Sequence, residues 1–175
     1  MRLAAPALQA ALLSVAGWND LLSRRIPDPV CIALAAVGVA ARGAAGIEAL
    51  AWSGALAALV FTVMVPTHAM GALGGGDIKL SAAFALGLSP AGLYGFLVMT
   101  ALAGGILAML HLALRRLPRP PHCPAGAWLP RRVWTAERWR ARQPASLPYG
   151  IAIAAGGIAA LAASVHGAVA AAGAG

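Results

Sequence analysis

Residues 3–22 read LAAPALQAALLSVAGWNDLL, twenty positions with one ionisable side chain, Asp20. About 20 predominantly apolar residues are what a helix needs to cross the hydrocarbon core of a bilayer. The run therefore predicts a membrane-spanning helix that carries a carboxylate two residues from its end. Working outward, comparable apolar stretches cover 29–41, 47–66, 78–89, 90–114 and 149–172. They are separated by Ser23-Arg24-Arg25-Ile26-Pro27-Asp28, by Arg42-Gly43, by Gly74-Gly75-Gly76, by Ser89-Pro90 and by one long polar segment.

The composition of the whole chain agrees with that run. Its 175 residues are 61% hydrophobic and only 10% charged, with a mean hydropathy of +0.80. A soluble domain carries roughly 25% charged residues, so a water-facing globule is excluded, and the apolar content is far above that of disordered chains. The expected fold class is all-α: a polytopic integral-membrane helical bundle of about six transmembrane helices, forming a single domain over residues 1–175. The second and fourth stretches, 13 and 12 residues long, fall short of a full crossing, and a five-span or re-entrant arrangement is the alternative.

The net charge of +8 comes from 13 Lys and Arg against five acids, Asp20, Asp28, Glu48, Asp77 and Glu137. In so apolar a chain that balance reports topology and contact with anionic membrane lipid; no nucleic-acid partner is expected. With six spans, Arg24, Arg25, Lys79 and the eight arginines from Arg115 to Arg142 share one side, which leaves Arg2 and Arg42 on the other. Cytoplasmic loops hold the excess of basic residues. The first side is therefore expected to be cytoplasmic and both termini outside. A cleavable signal peptide ending near Ser14-Val15-Ala16 is the rival reading of the N-terminus, but it leaves the charge asymmetry unexplained.

The basic segment 115–148 contains Trp128, Trp134 and Trp139. Trp134 and Trp139 lie about 140° apart on a helix, with arginines on nearly every face, so an interfacial loop is expected rather than an amphipathic helix. Docking of a partner or substrate is its other reading. Cys31 and Cys123 form no C-x-x-C pair and read as free thiols. His68, His111 and His166 have no partner at ligand spacing and read as structural or interfacial. No metal or cofactor is expected.

Five acids in such a chain each call for a reason. Asp20 is either a functional intramembrane carboxylate or a boundary group paired with Arg24, four residues on. Asp77 follows three glycines and opens an apolar run, the ordinary place for a helix N-cap. The glycines also permit close approach of another chain, and the spacing is not that of a phosphate-binding loop. By parity of the spans, both aspartates fall at cytoplasmic ends. Two carboxylates at one depth could divide general-acid and general-base work in adding water to a carbonyl.

Asp20 followed by Ile26-Pro27, then Gly74-Gly75-Gly76-Asp77-Ile78-Lys79-Leu80, then Pro148-Tyr149-Gly150 at the start of the last span, resembles the prepilin peptidases, membrane aspartic proteases of the G-x-G-D type. The resemblance runs nearly the length of the chain, and its nearest form is the short peptidase of tight-adherence (Flp-type) pili. It implies a membrane peptidase in the bacterial cytoplasmic (inner) membrane that removes the basic leader of a prepilin or pilin-like substrate at the cytoplasmic face. It further implies Asp20 and Asp77 as the catalytic pair, with Pro27, Gly74, Gly76 and Lys79 as supporting motif positions.

Two departures accompany the resemblance. Asp28 stands where the family usually has Asn, and it reads as a turn residue or a cap for the second span. Longer members carry a cytoplasmic domain with paired cysteines and also methylate the new N-terminus; without C-x-x-C, this chain is expected to cleave and not to methylate. Helix-end electrostatics add an expectation about roles. Asp77, at a helix N-terminus, should begin ionised and act as base, while Asp20, near a helix C-terminus, should begin protonated, although Arg24 opposes this. The alternatives from other classes are a small transporter or channel subunit using Asp20 and Asp77 as a proton relay, and a non-enzymatic pilus-assembly membrane protein.

Overall fold

The computed structural model describes residues 4–71, 73–116, 128–140 and 147–173. Seven helices and no strand occur among them: α1 Ala4–Ser23, α2 Asp28–Ala44, α3 Ile47–Ala69, α4 Gly75–Ala85, α5 Pro90–Arg116, α6 Leu129–Arg140 and α7 Tyr149–Gly173. Arg2, Cys123, and the parts 117–127 and 141–146 of the basic segment lie outside the described residues.

Six of the helices coincide with the six apolar stretches, and local chemistry fixes their ends. Pro27 is the N-cap residue of α2 with extended backbone, so Asp28 and Pro29 open the helix, where a missing N–H costs nothing. Ser89 and Pro90 start α5, and the Gly92 N–H donates to Ser89 Oγ at 3.1 Å, a serine cap. Among the described residues, three helices are long and apolar enough to cross a bilayer: α3, α5, and α7 over Tyr149–Gly167. α4 is the short one. Its 11 residues rise only about 16 Å, roughly half the thickness of a hydrocarbon core.

The segment 115–148 departs from expectation, because part of it is helical. Four apolar positions of α6, Leu129, Pro130, Val133 and Trp134, form two pairs spaced four apart that share a face. They close a cavity of about 380 Å³ against Trp18, His111 and Leu114. Pairing Trp134 with Trp139 conceals that face; pairing it with Pro130 shows it.

The bundle is apolar on both sides of its surface. Leu13, Leu34, Leu80, Phe84 and Phe96 are wholly buried, with the Phe84 and Phe96 rings edge to face at 4.9 Å. Meanwhile Ile32, Leu59, Val63, Leu102, Ile106 and Met109 point outward, and Gln9, Asp20, Ser53, Asp77, Ser81 and His111 point in. A surface of that kind suits lipid, not water. α7 packs between α1 and α5, while α4 packs on α2, α3 and α7. That arrangement brings the C-terminal end of α1 and the N-terminal ends of α4 and α7 together.

Candidate active site

Asp20 and Asp77 come from different helices and are both buried, at 6% and 8% exposure. They line one polar cavity of about 330 Å³, together with Arg24, Arg25, Ile26, Asp28, Gly74, Gly75, Gly76 and Lys79. Of the predicted site residues, the cavity gathers Asp20, Asp77, Gly74, Gly76 and Lys79. Pro27 stands outside the lining, at the N-cap of α2.

Asp77 is not the N-cap of its helix. Gly74 holds that position, and Asp77 reaches back from the third helical residue, where its Oδ2 accepts a hydrogen bond of 3.2 Å from the Gly74 N–H. This is the carboxylate half of a capping box. Its Oδ1 is buried with no hydrogen-bond partner among the described residues. A Cβ on Gly74 would sit 3.0 Å from Oδ2, and one on Gly76 would sit 3.3 Å from the Ile26 Cβ. The second contact joins two motifs that are far apart in sequence: Gly76 leaves room for Ile26, which packs against the α4 N-terminus.

The charge on Asp77 is opposed by its setting. Asp77 precedes the apolar run of α4 and lies outside the three spanning helices. Burial first, and then the negative charge of Asp20, push its carboxyl up to about 6, against the lowering effect of the Gly74 N–H and of Arg24. Helix-end electrostatics alone had predicted the opposite direction. Desolvation outweighs the helix terminus because the carboxylate is sealed in, whereas helix-end effects are strongest at low ionic strength and fall off within a turn.

Asp20 is positioned from across the bundle. A Cβ on Gly150 would fall 2.8 Å from its Oδ2 and 2.9 Å from its Cβ, so the carboxylate rests on the first turn of α7 at a place open only to glycine. One turn earlier, a Cβ on Gly17 would stand 3.0 Å from that of Ala154, which keeps the two helices close. Asp20 therefore faces a helix N-terminus although it sits near the end of its own helix. The asymmetry between the two aspartates that α1 alone implied is thereby reduced.

Lys79 faces the cavity rim and pairs with Asp28, Nζ to Oδ1 at 2.9 Å, with both side chains exposed. Asp28 thus joins the start of α2 to α4 instead of approaching the buried carboxylates. Arg24 is the residue that sequence reasoning undervalued. Its backbone is left-handed, φ 56°, its N–H donates to the Asp20 carbonyl at 2.9 Å, and its Nε and Nη1 are buried. Non-glycine residues in that region cost on the order of 1 kcal/mol, and such strain concentrates at functional sites. His68 accompanies the glycine segment, its Nδ1 2.8 Å from the Leu73 carbonyl oxygen.

A profile described as the type IV leader peptidase family matches residues 7–109, more than half of the chain and inclusive of both aspartates. The chain belongs to the type IV leader peptidase family. As a member it is a type IV leader peptidase-like protease and an integral membrane protein. The match ends before Pro148-Tyr149-Gly150, so the part of that motif in the peptidase site rests on the packing of Gly150 against Asp20. No curated protein and no solved structure matches the chain.

Proposed function

We propose that this chain is a membrane aspartic endopeptidase of the prepilin-peptidase kind, with Asp20 and Asp77 as its catalytic pair. It removes the basic leader from a prepilin or pilin-like protein at the cytoplasmic face of the bacterial inner membrane. The observation that carries the reading is the polar cavity into which two helices each deliver a buried carboxylate beside three glycines.

One ionised and one protonated carboxyl suffice for the reaction. The ionised oxygen takes a proton from water as the water oxygen bonds to the scissile carbonyl carbon, and the protonated carboxyl donates to the carbonyl oxygen. The tetrahedral intermediate collapses with transfer of a proton to the departing amine, which leaves an acid and an amine. The pair shares its protons, so the roles belong to the dyad as a unit. Gly74 and Gly76 present no side chain, which leaves room for the Asp77 carboxylate and for Ile26 beside it.

The reading includes six spans with the basic residues inside, proteolysis without N-methylation, and the tight-adherence subtype. Co-expression with a prepilin-like protein carrying a basic leader that ends in Gly before an apolar helix tests it, with leader loss followed on a gel. The native chain is expected to cut, and Asp20→Ala and Asp77→Ala are expected not to. Unchanged cleavage in either variant removes that residue from the pair.

A further inference from the structure

The cavity that holds Asp20 and Asp77 also takes in three cations, Arg24, Arg25 and Lys79. Two of them have ordinary occupations. Lys79 is exposed and paired with Asp28 at the rim, Nζ to Oδ1 at 2.9 Å. Arg25 is exposed, as suits a basic residue that only marks one side of a membrane. Arg24 is different. Its Nε and Nη1 atoms are sealed from solvent, and it lines the same cavity as both buried carboxylates.

The backbone sharpens the contrast. Arg24 is held at φ 56° while its N–H closes the end of α1 on the Asp20 carbonyl at 2.9 Å. A helix end of that conformation is ordinarily glycine or asparagine, which rest there with less strain. Here the costlier residue is the one whose side-chain atoms enter the site. A guanidinium also keeps its proton under all protein conditions, so burial leaves its charge in place.

Hydrolysis by two carboxyls gives that charge a use. A neutral pair has no base and a doubly ionised pair has no acid, so the productive state carries one negative charge. The cavity opposes even one. Burial first, and then Asp20, move the Asp77 carboxyl up to about 6, while the Gly74 N–H and Arg24 act the other way. The charged and titratable groups around Asp77 are Asp20 on α1, Arg24 and Arg25 just after it, Asp28 on α2, Lys79 on α4, and His68 of α3 beside Gly75; α7 brings Gly150. Among these cations Arg24 is the one with buried nitrogens, and a buried charge is little screened by salt.

We infer that Arg24 is the counter-charge of the aspartate pair, a positioning residue whose buried guanidinium keeps one carboxyl ionised at neutral pH, acting through the carboxylates and not on the substrate. The inference rests on the peptidase reading and adds to it the residue that sets the pH range of cleavage. Its sign follows from Coulomb attraction. A fixed positive charge favours the ionised carboxyl, so removing it moves deprotonation of the pair to higher pH. Cleavage needs the ionised member as base, and the acid limb of kcat/KM moves up with it. An arginine kept for topology alone would leave that limb in place.

The test compares the full-length native chain with Arg24→Gly, Arg24→Lys and Arg25→Gln on a reporter with a basic leader ending in Gly before an apolar helix, from about pH 5 to about pH 9. Glycine relieves the left-handed backbone, so Arg24→Gly is expected to fold at least as well as the native chain. Its acid limb is expected to move up by about one pH unit. That is a loss of about tenfold in kcat/KM near pH 5 which fades above about pH 8, carried by kcat with KM unchanged. Arg24→Lys is expected to restore the native limb, and Arg25→Gln, which removes the same charge from an exposed position, to leave it in place. In parallel, the carboxylic-acid infrared band that Asp77→Asn removes is titrated in each protein, and its midpoint is expected to move with the limb. A loss equal at every pH, or one carried by KM, makes Arg24 a structural or substrate-binding residue and overturns the inference. An equal displacement in Arg25→Gln, or a lysine limb that matches the glycine one, overturns it too. A native chain that cuts, with limb and midpoint the same in Arg24→Gly, overturns the inference alone. A native chain that never cuts, with a midpoint that moves in Arg24→Gly, overturns the peptidase reading and leaves the counter-charge standing; an unmoved midpoint there overturns both.

Discussion

Asp77 and Asp20 occupy one cavity but are held there in opposite ways. Asp77 is fixed by its own helix, through the Gly74 N–H three residues upstream. Asp20 is fixed from outside, by the glycine that opens α7. A site of the first kind is a local motif and survives changes elsewhere; a site of the second kind depends on how two helices distant in sequence meet. The difference teaches that the pair is assembled by tertiary packing even though half of it is encoded in a short run of residues.

The largest effect expected of any change is loss of either carboxylate. Asp20→Ala and Asp77→Ala should each lower leader cleavage by a factor on the order of 10²–10⁴, the usual weight of general acid–base catalysis. A loss confined to one of them would break the symmetry of the pair. The next effect separates the two modes of positioning. Gly150→Ala places a methyl group 2.8–2.9 Å from the Asp20 carboxylate and should reduce cleavage by about 10²-fold, the scale of a misplacement near 1 Å. Gly75→Ala, whose nearest neighbour would be His68 at 3.6 Å, should leave it within about threefold. Equal effects in a gel-based cleavage assay would show that tight packing at Gly150 does not position Asp20.

A smaller effect appears in stability. The folded value for Asp77, about 6, lies above its ordinary 3.8, so the fold favours the protonated carboxyl. The stabilisation is fully present below about pH 4 and is lost as pH rises through 6. Asp77→Asn removes that slope and should be the more stable protein at pH 7, by on the order of 2–3 kcal/mol, as read by unfolding in detergent at pH 4 and pH 7. Parallel pH dependence in the two proteins would mean that Asp77 is not strained by burial. The smallest effect belongs to the rim. Asp28→Asn separates an exposed pair from Lys79, and exposed pairs contribute little, so cleavage should change by less than about threefold.

Much of this was open to inspection in the residues themselves. The apolar runs mark six helices to within a few positions, because length and hydropathy dominate in a chain so poor in charge. The glycines before Asp77 mark a close approach correctly, yet they place the helix start one turn too late, since Gly75 and Gly76 are already helical. α6 was hidden because arginine on every side masks a face made by only four residues. The seat of Asp20 on Gly150 could be noted as a motif position but not explained, because nothing local to either residue announces that α1 and α7 touch. The desolvation of Asp77 was missed for the same reason. It depends on what closes over the carboxylate, and that comes from elsewhere in the chain.

The left-handed backbone of Arg24 has a consequence for how such a protein changes over generations. Glycine would sit at that helix end without strain, so Arg24→Gly is the substitution that a screen for heat tolerance alone would recover. A screen for cleavage would discard it, because it takes a guanidinium out of the cavity. The two selections pull one position in opposite directions, and a chain that keeps arginine there records which of them has prevailed.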